Sequence, residues 1–233
     1  MDALRDGLPA RYGDVLRERF QRAAILRVRP GVQILDVGSG AHPSVPPARR
    51  PSGCRYVGLD VDPGQLERAP AGIYDEVVVA DLAQRVQALE GQFEVATVFH
   101  VLEHVRPLQR ALENLRAYLP PGGSLVAMLS GAFAAFALAN RVLPDRIGKA
   151  LMARLMARDP ETVFHAHYHR CWYGALDRAF APWSRAEIVP IYQGAEYFNF
   201  ALPLRGAYVA YENWAARRGH LNLATHYLVE AVR

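Results

Sequence analysis

Val32-Gln33-Ile34-Leu35-Asp36-Val37-Gly38-Ser39-Gly40 is a short β-rich run that ends in two closely spaced glycines. In an open α/β sheet, ligands bind outside the carboxyl ends of the strands, so the residues closing each strand are the ones to read. Two glycines there let the backbone turn tightly and approach a ligand without interference from a Cβ. A third glycine would complete a dinucleotide fingerprint, but the equivalent position carries Ala41-His42-Pro43. That departure counts against a nicotinamide or flavin dinucleotide, whose pyrophosphate needs a helix N-terminus close by. An adenosine cofactor without phosphates has no such need.

Further β-rich runs follow at 55–60, 76–80, 93–99 and 124–129, then near 186–191 and 224–232. Helical patterns cover the first thirty residues up to Pro30-Gly31, where Leu16, Phe20, Ala23, Ala24 and Leu26 stand near helical spacing. Others lie near 107–118, 172–180 and 204–218, while a proline-rich link (Pro43, Pro46, Pro47, Pro51) stands where a helix would follow the first strand. Short strands alternating with helices predict a mostly parallel sheet with helices on both faces. The whole chain reads as one domain, 1–233, with a helical insert or lid at 131–170 and a second helical insert at 195–220.

The composition agrees with a globular chain of this kind. At 233 residues, 51% hydrophobic and 21% charged, it is long enough for a sizeable core, and neither disordered nor collagen-like. Cys54 and Cys171 form no CxxC pair, so a reduced, cytoplasmic setting is expected. The net charge of +4 comes almost wholly from arginine, and the arginines of residues 11–29 are diluted by Asp14 and Glu18. No basic stripe with a docking motif is present, so a nucleic-acid partner is not expected. Residues 122–140 lack charge, but Pro120-Pro121-Gly122-Gly123 and Ser130-Gly131 argue for a buried strand and a helix rather than a membrane span.

Asp60 closes the second strand about twenty residues after the glycines, where a carboxylate accepts both hydroxyls of an adenosine ribose. Asp81 closes the third, within reach of an adenine amino group. In this order the residues resemble the class I S-adenosylmethionine-dependent methyltransferases, of the bacterial small-molecule, glycan or lipid type. Residues 34–40 resemble that family's first motif, 56–60 its second and 80–82 the adenine-side motif. Residues 93–95 with 100–105 are similar to the fourth-strand signature, and 119–123 to the turn before the fifth strand. The resemblance implies a Rossmann-like seven-stranded sheet, mostly parallel, with the last strand antiparallel and a helical insert after the fifth. It also implies S-adenosylmethionine as cofactor and S-adenosylhomocysteine as product, held by Asp36, Gly38, Ser39, Gly40, Asp60, Val61, Asp81 and Leu82, with His100 and Tyr12 beside them. A finer resemblance concerns a bacterial subgroup with an Asp-Tyr-x-Arg-Phe-Thr-like segment, which Tyr168 and Arg170 match.

A sulfonium methyl donor is already a good electrophile, so the protein chiefly has to align the reactants and keep water away. A base is needed when the acceptor is a hydroxyl. His100, directly after the fourth strand, His104, His167 and His169 are the candidate catalytic groups, and Glu103 reads as a helix-start carboxylate. His165, His167 and His169 alternate, which also raises a shared metal ion, but no carboxylate or Cys cluster accompanies them, and no metal is expected.

The acceptor is expected to be a small or lipid-linked metabolite, methylated on oxygen. Within 141–158, Ile147, Leu151 and Leu155 recur every four residues among Arg146, Lys149, Arg154 and Arg158. This basic amphipathic pattern reads either as a lid packed on the domain or as an interfacial helix touching the inner membrane surface. Tyr192, Tyr197, Phe198, Phe200, Tyr208, Tyr211 and Trp214 read either as acceptor-cavity lining or as ordinary core. Three other functions stay open: a catalytically silent cofactor-binding or interaction protein of the same fold, a nicotinamide-dependent oxidoreductase, and a nucleic-acid methyltransferase, although His100-Val101-Leu102-Glu103 is not the Asn/Asp-Pro-Pro-Tyr-like motif of the last.

Overall fold

The computed structural model describes residues 7–135, 137–138 and 166–233. Most of the expected insert at 131–170, all of the basic helix at 141–158, and His165 lie outside the described residues. The strands are β1 (Gln33–Val37), β2 (Arg55–Asp60), β3 (Glu76–Val79), β4 (Val95–Phe99), β5 (Ser124–Ser130), β6 (Arg185–Ile191) and β7 (His226–Val232). They form one seven-stranded sheet in the order β3-β2-β1-β4-β5-β7-β6. Strands β1 to β5 pair parallel, whereas β7 runs antiparallel between β5 and β6. This is the Rossmann-like sheet with an antiparallel last strand that the motif order implied. The strand order reverses between β1 and β4, which opens the crevice where such sheets hold ligands.

The helices are α1 (Leu16–Ile25), α2 (Pro63–Glu67), α3 (Leu108–Tyr118), α4 (Tyr173–Phe180) and α5 (Leu202–Arg217). Alternate side chains of β1 explain why both faces need cover. Ile34 packs with Phe20, Ala23 and Ala24 of α1, while Leu35 and Val37 pack with Leu108, Leu112 and Leu115 of α3. A strand buried on both faces reads as a continuous apolar run, as this one does apart from Gln33 at its start and Asp36. The five-residue α2 begins where Asp62 accepts a hydrogen bond from the Gly64 N–H at 2.9 Å, with Pro63 at the first helical position.

The first helix is shorter than its apolar spacing suggests. A 3-10 turn at Ala10–Gly13 precedes α1, and the chain leaves the helix at Leu26, which is 81% exposed rather than part of the core. The cause is local. The N–H groups of Arg27 and Val28 bond three residues back, to the carbonyls of Ala24 and Ile25, and this tightening swings the chain toward β1. The proline-rich link after β1 likewise holds only a 3-10 turn, Pro47–Arg49.

The N-terminal segment is tied to the C-terminal third by one buried carboxylate. Glu212 of α5 accepts from the Gly194 N–H at 2.6 Å, Thr225 Oγ1 at 2.9 Å, the Arg11 guanidinium at 3.2 Å and the Tyr12 hydroxyl. This knot holds the inner face of α5 against the loop that follows β6. Truncating Phe20 to Ala removes the fully buried ring that α1 packs on the sheet and is expected to cost about 3–5 kcal/mol. Leu26→Ala is expected to cost under about 0.5 kcal/mol, and urea unfolding of the two variants measures the contrast.

Candidate functional site

Asp36 stands last but one in β1, on the face covered by α1, with no exposure to solvent. Its Oδ2 accepts from the Ser44 N–H at 2.7 Å and the Tyr56 hydroxyl at 2.6 Å, and its Oδ1 from Thr97 Oγ1 at 2.9 Å. Burial pushes its carboxyl up, and these hydrogen bonds oppose the rise. Asp36 therefore shapes the turn after β1 from beneath and presents no free oxygen of its own. Gly38 (φ +66°) and Gly40 (φ +48°) both adopt the left-handed region. A Cβ on Gly38 would stand 2.2 Å from Val101 Cγ2, so only glycine lets the segments after β1 and β4 approach so closely. The Tyr74 hydroxyl lies 2.7 Å from Ser39 Oγ and 3.0 Å from the Gly40 carbonyl oxygen, pinning the turn from the β3 side.

Asp60 ends β2 next to this turn. Its Oδ1 accepts from the Asp62 N–H at 3.0 Å, and its Oδ2 lies 3.5 Å from the place a Cβ on Gly40 would occupy. Burial raises its carboxyl, against hydrogen bonds from the backbone of Asp62, Gly40 and Val61. Val61 beside it is exposed. Asp81 follows β3 and accepts from the Ala83 N–H at 2.8 Å, which sets its carboxylate in a tight turn. Leu82 packs into the core, and its carbonyl accepts from Asn114 Nδ2 at 2.8 Å. The two glycines, Asp60 and Asp81 thus line the carboxyl ends of three neighbouring strands.

On the other side of the switch point stands a second cluster. His100, with φ +57°, follows β4, and its Nδ1 lies 2.9 Å from Glu103 Oε1 and 3.3 Å from Ser130 Oγ. A carboxylate only accepts, so Nδ1 carries a proton in either form of the ring: the imidazolium donates from both nitrogens, and the neutral ring has Nε2 as its acceptor. Glu103 also accepts from the Ser130 N–H at 3.1 Å through the same Oε1, and its backbone carbonyl accepts from the N–H groups of His167 and Tyr168, both at 2.9 Å. Burial pushes the Glu103 carboxyl up, but the charge and hydrogen bond of His100, with the charge of His104, outweigh it and bring it down to about 2. The ring of the fully buried His226 packs edge-on against His100 at 5.4 Å, and its pKa is pushed down to about 3 by burial and by the His100 charge.

The other expected groups are placed differently. His104 closes the turn Leu102–His104. His167 is exposed and His169 half-buried, and burial with the charges of Arg106 and Arg170 lowers the His169 pKa. Tyr168 between them has φ +48°, so the period-two alternation of an extended segment does not hold. Among the described residues, no three His, Cys, Asp or Glu side chains converge as a metal site. The Tyr12 hydroxyl is engaged by Glu212 and the Ala195 N–H, and serves as a structural tie there. The aromatic stretch divides: Tyr192 and Tyr208 are core, whereas Phe200 and Trp214 face solvent. A cleft of about 450 Å³ lined by Arg85, Arg116, Trp183 and Arg233 opens at the opposite end of the sheet.

Tyr56, Tyr74, Ser130 and His226 carry no sequence signal as site-forming groups, and Glu103 reads in the sequence as a helix-start carboxylate. The i, i+3 spacing of His100 and Glu103 was a usable signal for one pair. Nothing in the chain order marks the others: Tyr56, Ser130 and His226 come from β2, β5 and β7, and Tyr74 from the segment before β3.

Residues 9–180 match the model of a family described as "Methyltransferase domain". An uncharacterized methyltransferase of Synechocystis sp. is 30% identical over 110 residues, which is 46% of this chain and 51% of that protein; the match spans about half the length of this curated relative. Geranyl diphosphate C-methyltransferase from Streptomyces coelicolor A3(2), in complex with Mg2+, geranyl diphosphate and S-adenosyl-L-homocysteine, superposes with a TM-score of 0.58 at 16% identity. That superposition covers 92% of this chain and 78% of the other. An S-adenosylmethionine-dependent methyltransferase from Mesorhizobium loti gives a TM-score of 0.55 at 18% identity, over 95% and 100% of the two chains. These structural likenesses are of fold.

The buried pair makes stability depend on acid. His226 has its pKa depressed from 6.5 to about 3, so the unfolded chain takes up its proton first, and stability present above pH 6.5 is lost as pH falls toward 3. Glu103, depressed from 4.5 to about 2, adds a loss of the same sign at lower pH. In His226→Gln the dependence of unfolding free energy on pH between about 3 and 6.5 is expected to be shallower by about 1.4 kcal/mol per pH unit, as urea titrations at stepped pH measure.

Proposed function

The chain belongs to the methyltransferase domain family, and we propose that it transfers the methyl group of S-adenosylmethionine to a hydroxyl of a small or lipid-linked acceptor. The observation that carries this reading is the buried Asp60 carboxylate set against Gly40 at the switch point of the sheet. A ribose offers two vicinal hydroxyls, and a carboxylate beside a turn free of side chains can accept from both. The residues present fit an adenosine group: Gly38 to Gly40 leave room along the backbone, Asp60 receives the ribose, and Asp81 with Leu82 flanks the base.

Bound S-adenosylmethionine supplies a methyl group on a sulfonium, with a neutral thioether as the leaving group. His100 stands across the switch point from Asp60, with Nδ1 held by Glu103 and Nε2 available to accept the acceptor's hydroxyl proton. Glu103 fixes the tautomer and stabilises the imidazolium that forms, and Ser130 helps hold the ring. The rings of Phe99 and His226, packed edge-on to the imidazole at 4.6 and 5.4 Å, restrict its rotation.

Methyl transfer from isotope-labelled S-adenosylmethionine into a bacterial extract, split into organic, aqueous and macromolecular fractions, tests the reading. Label is expected in the organic or the aqueous small-molecule fraction. Asp60→Ala is expected to weaken S-adenosylhomocysteine binding about 100-fold by calorimetry, from the loss of two charge-assisted hydrogen bonds. His100→Ala is expected to keep that binding and lower kcat by about 100-fold or more. Cofactor binding without label in any fraction would favour a silent binding protein instead.

A further inference from the structure

Gly58 stands in the middle of β2, between Asp36 of β1 and Val77 of β3. A glycine inside a strand forgoes packing and loosens the backbone, so it marks a place where something comes close. Its φ lies outside the left-handed region, so the backbone does not demand it. The space does. A Cβ there would stand 2.9 Å from both Cδ1 and Cε1 of Tyr74, whose ring occupies the gap. The same ring stacks on that of Tyr56, two residues earlier on the same face of β2, at 5.8 Å and an interplanar angle of 15°.

Both chain neighbours of Tyr74 are fixed. Arg50 donates from Nη1 to the Ile73 carbonyl at 2.5 Å and from Nε to the Val45 carbonyl at 3.0 Å, and its guanidinium lies 3.4 Å from the centre of the Tyr56 ring. The Asp75 N–H donates to the Tyr56 carbonyl at 2.9 Å, and Asp75 Oδ2 accepts from the Tyr56 N–H at 2.6 Å. The Tyr74 hydroxyl is thereby carried to the turn after β1, 2.7 Å from Ser39 Oγ and 3.0 Å from the Gly40 carbonyl oxygen. One hydroxyl has one hydrogen. Both contacts are hydrogen bonds only when Tyr74 donates to the Gly40 carbonyl, which has none to give, and accepts from Ser39. Burial holds the Tyr74 hydroxyl above its ordinary pKa, so that hydrogen stays in place at neutral pH.

We propose that Tyr74 is a positioning residue of the cofactor site, with Gly58 as the gap that admits its ring. The hydroxyl holds Gly40 by its carbonyl, while the backbone of the same residue bonds the Asp60 carboxylate. A turn with two glycines has wide freedom of its own. A site binds tightly when its groups are held before the ligand arrives. Tyr74 removes that freedom from the β3 side. The inference deepens the methyl-transfer reading and rests on it, since the ligand of the turn is S-adenosylmethionine.

Calorimetric titration of the full chain with S-adenosylhomocysteine, well below the melting temperature of each variant, tests it. Tyr74→Phe keeps the ring and removes the hydroxyl, and is expected to weaken binding about 10-fold, the equivalent of one hydrogen bond. Replacing Tyr74 by para-aminophenylalanine returns a donor to the same ring position and is expected to restore most of the affinity. Gly58→Ala displaces the ring, so Gly58→Ala/Tyr74→Phe is expected to bind no more weakly than Gly58→Ala alone. Gly58→Ala/Tyr74→Ala, in which the new methyl meets no ring, is expected to fold even where Gly58→Ala does not, and to bind no more weakly than Tyr74→Ala. Wild-type affinity in Tyr74→Phe overturns the inference, as does a loss that para-aminophenylalanine fails to restore. A lowered melting temperature with unchanged affinity also overturns it and leaves Tyr74 a packing residue. Further weakening by Gly58→Ala in the absence of the ring overturns the part assigned to Gly58. Failure of the wild-type chain to bind S-adenosylhomocysteine overturns the cofactor reading and this inference with it. Wild-type binding that Asp60→Ala weakens and Tyr74→Phe does not leaves that reading intact and removes this inference alone.

Discussion

The carboxylate of Asp36, sealed at the carboxyl end of the central strand, is the constraint on which the rest of the site depends. A buried carboxylate is tolerable only when its oxygens are matched by donors, and here three different segments supply them: Ser44 from the proline-rich link, Tyr56 from β2 and Thr97 from β4. Meeting that demand draws the link back over the sheet and locks β1 between its two parallel neighbours. The turn Gly38–Gly40 then has one course open to it, between Val101 on one side and Asp60 with Tyr74 on the other. A polar residue inside a strand buried on both faces would otherwise be a defect; here it organises the ligand end of the sheet.

A second buried carboxylate repeats the logic on the other side of the switch point, after β4. Glu103 joins the residue after β4, the end of β5 and the segment at His167 and Tyr168. The low pKa of Glu103 and that of His226 follow from the same crowding: the carboxylate is kept charged beside His100, and the enclosed imidazole is kept neutral. Glu212 is a third such hub and sets the orientation of α5, so the exposed apolar face of that helix follows from a buried acid on its inner side. Each hub links segments far apart in the chain, which is why the N-terminal turn, the switch point and the last helix form one end of the molecule.

The fold was legible because its signals are local and periodic. Runs such as Ile34 to Val37 and Leu125 to Leu129 are short and bounded by glycine and proline, which favours strands of a doubly covered sheet, and the strand bounds read from them lie within two residues of those observed. Glycines that need positive φ, and acids that follow strands, mark the carboxyl end of the sheet for the same reason: backbone geometry allows few alternatives there. The failures were of another kind. Leu26 fits the helical spacing of α1 but lies past the point where the helix tightens and turns, and Phe200 and Trp214 look like core residues in composition but face outward.

Sequence alone therefore determined the order of the elements, the parallel sheet and the turn with its two strand-end acids, since each rests on contacts within a few residues. Only the tertiary structure decided which polar groups meet. Tyr56 and Thr97 reach Asp36 from adjacent strands, Ser130 and His226 reach His100 from β5 and β7, and Tyr12 joins Glu212 across two hundred residues. Such meetings depend on strand order and on which face of a helix is turned inward, and neither quantity is written in the spacing of a single segment.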